Sequence, residues 1–149
     1  MTVHGFIPTS SGSNTSFQTS KLWSKSFPSA ETVLSVEPVG YEAVASFGRV
    51  LGDKSTVYKY LNPHLSVITT MSASTGTAHV SVLDTTTGAA VYEVGIRGVI
   101  PGKGVKAVMS ENWLVYSWLE AGGWRIASVE LYENRTESKI ETYVASSGY

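Results

Sequence analysis

From residue 21 onward no stretch of this chain holds a 3.6-residue apolar period. Short runs rich in Val, Tyr, Trp and Thr recur instead, each cut off by Gly, Pro, Asn or Asp after about ten residues. The pattern predicts strands over 56–60, 65–70, 78–84, 89–94, 105–110, 113–118, 125–133 and 139–145. Alternation within the runs assigns their faces. Ala78, Val80 and Val82 share one side of a strand and His79 and Ser81 the other, as half-buried pairing requires. Thr85-Thr86-Thr87-Gly88 supplies a tight turn in which Gly88 can take positive φ, and Leu61-Asn62-Pro63-His64 supplies another, because Pro63 fixes its own φ and disfavours a helical Asn62.

Sliding the sequence by 49 positions lays 65–84 over 114–133 without a gap, so that Leu65 meets Leu114, Ala78 meets Ala127, Val80 meets Val129 and Val82 meets Leu131. A period near fifty suits a four-stranded propeller blade, and an all-β sandwich or barrel is the alternative. At about 40 to 50 residues per blade, residues 21–149 make two to three antiparallel blades, fewer than the four or so that close a ring. The expectation is therefore a partial β-propeller with open strand edges and a tendency to associate. Residues 1–20, dense in Ser, Thr and Gly with only Phe6, Ile7 and Phe17 as larger anchors, read as a flexible leader.

Composition removes several functions. The net charge is −1 with 15% charged residues and no basic stripe, which argues against a nucleic-acid partner. There is no Cys, hence no disulfide, no thiolate nucleophile and no common zinc site. No run approaches the roughly 18 apolar residues of a spanning helix. His4, His64 and His79 lack second ligands at metal spacing, no Gly-x-Ser-x-Gly elbow occurs, and the Gly98–Gly104 stretch fails as a phosphate loop because Gly104 stands where Ser or Thr is needed. No catalytic, cofactor-binding or metal-binding residue is expected.

Three segments carry more information. The run 48–63 holds Gly48, Gly52, Asp53, Lys54, Tyr58, Lys59, Tyr60, Asn62 and Pro63; a second begins with Ser110, Glu111, Asn112 and Trp113; the third is Val129-Glu130-Leu131-Tyr132-Glu133. In the second, Trp113, Val115 and Ser117 share one strand face and Leu114, Tyr116 and Trp118 the other, both bulky enough to suggest cover on both sides. Together these segments resemble the lumenal C-terminal region of the largest subunit of the endoplasmic reticulum membrane protein complex. That family commonly reads Gly-Asp-Arg-Ser and Asn-Pro-Asn where this chain has Lys54 and His64, and lysine lacks the planar fork for bidentate pairing.

The resemblance implies a non-catalytic scaffold built of β-propellers on the lumenal side of the endoplasmic reticulum membrane. Its partners would be other subunits of the complex, with client membrane proteins engaged indirectly and the membrane anchor outside this chain. It also makes the sequons at Asn134 and Asn14 candidate glycosylation sites. Two further readings stand beside it. One is a quinoprotein-type propeller enzyme fragment, suggested by Asp84-Thr85-Thr86-Thr87-Gly88 followed by Tyr92; the other is a stand-alone carbohydrate- or protein-binding β-module using the Trp and Tyr set.

Overall fold

The computed structural model describes residues 1–10, 17–40, 48–133 and 141–145, and every regular element among them is a strand. Asn14 and Asn134 lie outside the described residues. Four strands, β3 (Thr32–Pro38), β6 (Leu65–Ser72), β7 (Thr77–Asp84) and β8 (Ala90–Ile96), form one antiparallel sheet in chain order. A second sheet repeats the plan with β9 (Val105–Ser110), β10 (Trp113–Glu120), β11 (Gly123–Glu130) and β13 (Glu141–Ala145). These are two propeller blades that do not close a ring. A small third sheet orders β12 (Tyr132–Glu133), β5 (Thr56–Lys59) and β4 (Arg49–Val50).

The 49-residue shift superposes β6 on β10 and β7 on β11, the second and third strands of the two blades. Equivalence is not gapless, however. Leu65 lies opposite Asp84, whereas Leu114 lies opposite Val129 rather than Glu133. The slip of four residues is even, so every side chain keeps its face and the apolar phase survives. One core fills the space between the blades, with Val67, Val80 and Val82 from the first and Leu114, Ala127 and Val129 from the second all at 2% exposure or less. The Tyr92 and Tyr116 hydroxyls meet inside it at 3.3 Å. Burial and that contact push the Tyr92 phenol well above its ordinary pKa.

The turn expected at 85–88 forms the β7–β8 hairpin, with Gly88 at φ 75° and its N–H donating to the Asp84 carbonyl at 2.7 Å. Asp84 Oδ1 caps the same turn, accepting from Thr86 N at 2.8 Å and Thr86 Oγ1 at 2.5 Å. Those bonds, with Thr86 Oγ1 the largest contributor, hold the Asp84 carboxyl below its ordinary pKa.

The described part of residues 1–20 departs from the expectation of a flexible leader. Thr2–Ser10 (β1) and Phe17–Ser26 (β2) pair as an antiparallel hairpin, so a boundary at 20/21 falls inside a strand. Composition misled because the anchors that fix the hairpin lie farther along β2. Trp23 Nε1 donates to the Thr85 carbonyl at 2.7 Å, and Lys25 pairs with Glu93, which shares a sheet face with Ser81 and Ile68. The hairpin thus bears on the first blade opposite the core. The far face of the second blade has no such cover among the described residues: Val108, Trp113, Trp124 and Ile126 are each at least 50% exposed. The expected enclosure of β10 on both faces therefore holds only for Leu114 and Tyr116, which are buried, and for Trp118, which stacks on Tyr116 at 5.8 Å.

Candidate functional site

The three informative segments lie far apart in sequence, and the fold brings parts of all three together. The link is the small sheet. β4 and β5 belong to the connection between the first and second strands of the first blade, and β12 to the connection between the third and fourth strands of the second. Pairing Tyr132 with Lys59 and Glu133 with Tyr58 therefore straps one blade to the other at their rim.

Leu131 is the fixed point of the strap. Its N–H donates to the Asn112 carbonyl at 2.8 Å, and its own carbonyl accepts from Asn112 Nδ2 at 2.8 Å and from Tyr60 N at 3.0 Å. Asn112 is buried, so these bonds are made away from competing water. Asn112 follows Glu111 in the two-residue β9–β10 turn, where Glu111 adopts φ 53°. A left-handed glutamate is unfavourable in isolation, and the surrounding bonds hold it. Its carboxylate accepts from Lys59 Nζ at 2.8 Å, both side chains being about one-quarter exposed.

Beside this pair a cavity of about 540 Å³ is lined by Lys59, Ser110, Glu111, Asn112, Trp113, Glu130 and Tyr132. The Tyr132 hydroxyl donates to Glu130 Oε2, and the carboxylate that accepts from it raises the phenol above its ordinary pKa, with burial adding. The Arg49 guanidinium lies over the Tyr132 ring, 6.0 Å from its centroid. Trp113, directly opposite Glu130 across the β10–β11 pair, is 52% exposed.

The other expected residues shape the strap from outside. Gly48 has no room for a Cβ, which would collide with Thr56 Cγ2. Gly52 has open space, and the left-handed position in its turn falls to Lys54 at φ 68°. Asp53 Oδ1 closes that turn by accepting from Ser55 N at 3.0 Å and Ser55 Oγ at 2.6 Å, which lowers its pKa. Tyr58 is exposed, while Tyr60 turns against the core. Asn62 and Pro63 form the expected turn into β6: Asn62 Oδ1 accepts from His64 N at 2.9 Å, and its Nδ2 reaches Tyr60 Oη at 3.2 Å and Asp84 Oδ2 at 3.3 Å.

Comparison with known families bears on these same residues. The family described as "ER membrane protein complex subunit 1, second beta-propeller" matches residues 1–148. The chain belongs to that family. Among curated relatives named ER membrane protein complex subunit 1, that of Schizosaccharomyces pombe is 39% identical over 125 residues, covering 80% of this chain and 14% of the relative. That of Xenopus laevis is 33% identical over 142 residues, covering 89% and 14%. The subunit 1 protein of Saccharomyces cerevisiae is 28% identical over 120 residues, covering 78% and 16%. The chain thus spans about one-seventh of the length of the relatives it matches. The subunit 1 match begins at residue 1, so the β1–β2 hairpin belongs to the same family segment as the blades.

Sequence reading missed Arg49, Glu130 and Tyr132 as members of the site. Glu130 and Tyr132 were within reach, since they stand in the third segment; the position of Arg49 over Tyr132 depends on pairing across more than 80 residues and left no local trace. Also missed was Glu31. It accepts from Thr70 Oγ1 at 2.7 Å and lies 3.2 Å from His79 Nδ1, which accounts for the one histidine inside a blade. Among the described residues, no three His, Cys, Asp or Glu side chains converge on one point.

Proposed function

We propose that this chain acts as a non-catalytic scaffold and interaction module of the endoplasmic reticulum membrane protein complex. On this reading it forms part of a lumenal propeller and supports insertion of multipass and tail-anchored membrane proteins by holding other subunits in place. The observation that carries the reading is the convergence of the family-like segments on a rim strap rather than on a catalytic constellation. Lys59 and Glu111 pair with each other, Asn112 spends its amide on the Leu131 carbonyl and Tyr132 its hydroxyl on Glu130, which fixes geometry and leaves a shaped surface. On this reading clients are met indirectly, and glycans at Asn134 and Asn14 are compatible with a lumenal setting.

The test uses the full-length protein of which this segment is part, tagged and expressed in its own cells. Purification should recover it in stoichiometric association with other subunits of the complex. Asn112→Asp should lower the abundance of the whole assembly and reduce insertion of multipass and tail-anchored reporters to the same extent. Recovery of the protein free of other subunits, or a loss of insertion with the assembly intact, would refute the scaffold reading.

A further inference from the structure

The β1–β2 hairpin stands to the first blade as β7–β8 stands to the second. In each case two antiparallel strands hand the chain to the first strand of the next sheet through a short connection, residues 27–31 before β3 and residues 97–104 before β9. Each pair also packs against the sheet that follows it: Tyr92 of β8 meets Tyr116 of the second blade, and Lys25 of β2 meets Glu93 of the first. Trp23 sets the hairpin's orientation. Its Nε1 bonds the Thr85 carbonyl, and its indole lies against Gly5 and Gly88, neither of which could carry a Cβ without striking the ring. Val3 and Gly5, directly opposite Lys25 and Trp23, therefore look toward the blade, while Thr2, His4, Ser24 and Ser26 look away.

The two hairpins differ in one respect. β7 pairs with β8 on one side and with β6 on the other, whereas β1 pairs, among the described residues, with β2 alone. A two-stranded sheet is marginal by itself. Met1 and Phe27 bond each other through both backbone N and O, so alternation turns the N–H and C=O groups of Thr2 and His4 to the open side. Edge strands commonly carry charged side chains that discourage a further strand; β1 has no Lys, Arg, Asp or Glu, while β2 has Lys21 and Lys25. Pro8, with no N–H to offer, confines the receptive stretch to the half of β1 away from the hairpin turn.

We propose that β1–β2 is the outer half of a further blade, and that the open edge of β1 receives an antiparallel strand of the same polypeptide from outside residues 1–149, as β7 receives β6. The chain spans about one-seventh of its relatives' length, so a parent polypeptide of that kind has strands to supply. The same polypeptide is favoured over a separate subunit because a blade is a meander whose successive strands are joined by tight turns, as residues 73–76 join β6 to β7. The scaffold role is not needed for this: the added strand belongs to the propeller, whatever the propeller holds.

The experiment reads amide exchange residue by residue, by mass spectrometry with electron-transfer fragmentation, in the full-length protein within its assembled complex. The His4 amide should exchange roughly a hundredfold more slowly than in an unstructured peptide, as the Val3 amide does through its bond to β2. Photo-cross-linking p-benzoylphenylalanine at position 4, within about 5 Å of a cross-strand neighbour, then identifies the partner and should capture the same polypeptide outside residues 1–149. Free exchange at His4 beside a protected Val3 would overturn the proposal, and free exchange at both would remove the hairpin on which it stands. Capture of another subunit, of a second copy or of a segment within residues 1–149, or no capture at all, would overturn it equally. None of these results touches the scaffold reading, which is judged by whether other subunits co-purify.

Discussion

Asn112 gives the sharpest test of the strap. In the native state its Nδ2 and the Tyr60 N–H share the Leu131 carbonyl, at 2.8 and 3.0 Å. Asn112→Ala removes one donor but leaves that oxygen still bonded to Tyr60, so no acceptor is orphaned. The cost is one net hydrogen bond and a small void, about 1.5 kcal/mol. Asn112→Asp keeps the shape and reverses the polarity. A carboxylate oxygen then faces a carbonyl oxygen at a position that is 4% exposed, and the charge must protonate or break the turn to escape. That costs about 3 kcal/mol or more. Urea unfolding followed by pulse proteolysis reads the difference. With m of about 2 kcal/mol/M, the alanine variant should lose about 0.7 M in midpoint and the aspartate variant about 1.5 M or more. If the aspartate variant proves no less stable than the alanine variant, Asn112 does not direct its amide at Leu131 and the account of the strap fails.

Leu114→Ala, at a site with no exposed surface between the blades, should destabilise by about 3 kcal/mol in the same assay; a loss below about 1 kcal/mol would mean that the blades do not share one core. Gly88→Ala should also destabilise, because at φ 75° the new Cβ would stand 2.6 Å from Trp23 Cδ2, and the hairpin contact made by Trp23 should loosen, seen as faster amide exchange in 17–26. Asp84 predicts an acid limb. Its folded pKa is depressed below the ordinary 3.8, so its contribution is complete above that value and is lost as pH falls below it through the folded pKa. Asp84→Asn should flatten the stability profile in that acid range, and an unchanged slope would assign the acid limb to other groups.

The blade strands were legible in the sequence because each is a local alternation bounded by local turn chemistry. Val105–Ser110 matches its run end for end, and Leu114 and Tyr116 bury on the face that alternation assigns to them. The edge elements were not. Thr2–Ser10 and Arg49–Val50 carry little apolar signal of their own and owe their strand geometry to distant partners, the hairpin to Thr85 and Glu93 and the short strand to Val57. The site was half legible for the same reason. Segment composition singled out Lys59, Glu111, Asn112 and Trp113, but which of them touch depends on pairing Lys59 with Tyr132, a register that no window of sequence contains.

That dependence bears on what a substitution at the rim can do. In a stack of blades, a side chain buried within one sheet chiefly sets the stability of that sheet, whereas a residue of the strap sets the relation between two sheets. Lys59 and Tyr60 enter the strap from the first blade, Asn112 and Leu131 from the second, and the bonds among them cross from one to the other. Weakening them need not unfold either sheet, since the core between the blades is intact, but it loosens the alignment of the exposed rim that carries Trp113 and Glu130. A surface built from two sheets depends on their alignment as well as on the stability of each. The polar residues of the strap thus set the geometry of the rim as well as stability, and their substitution should loosen the alignment of the two blades in addition to destabilising the fold.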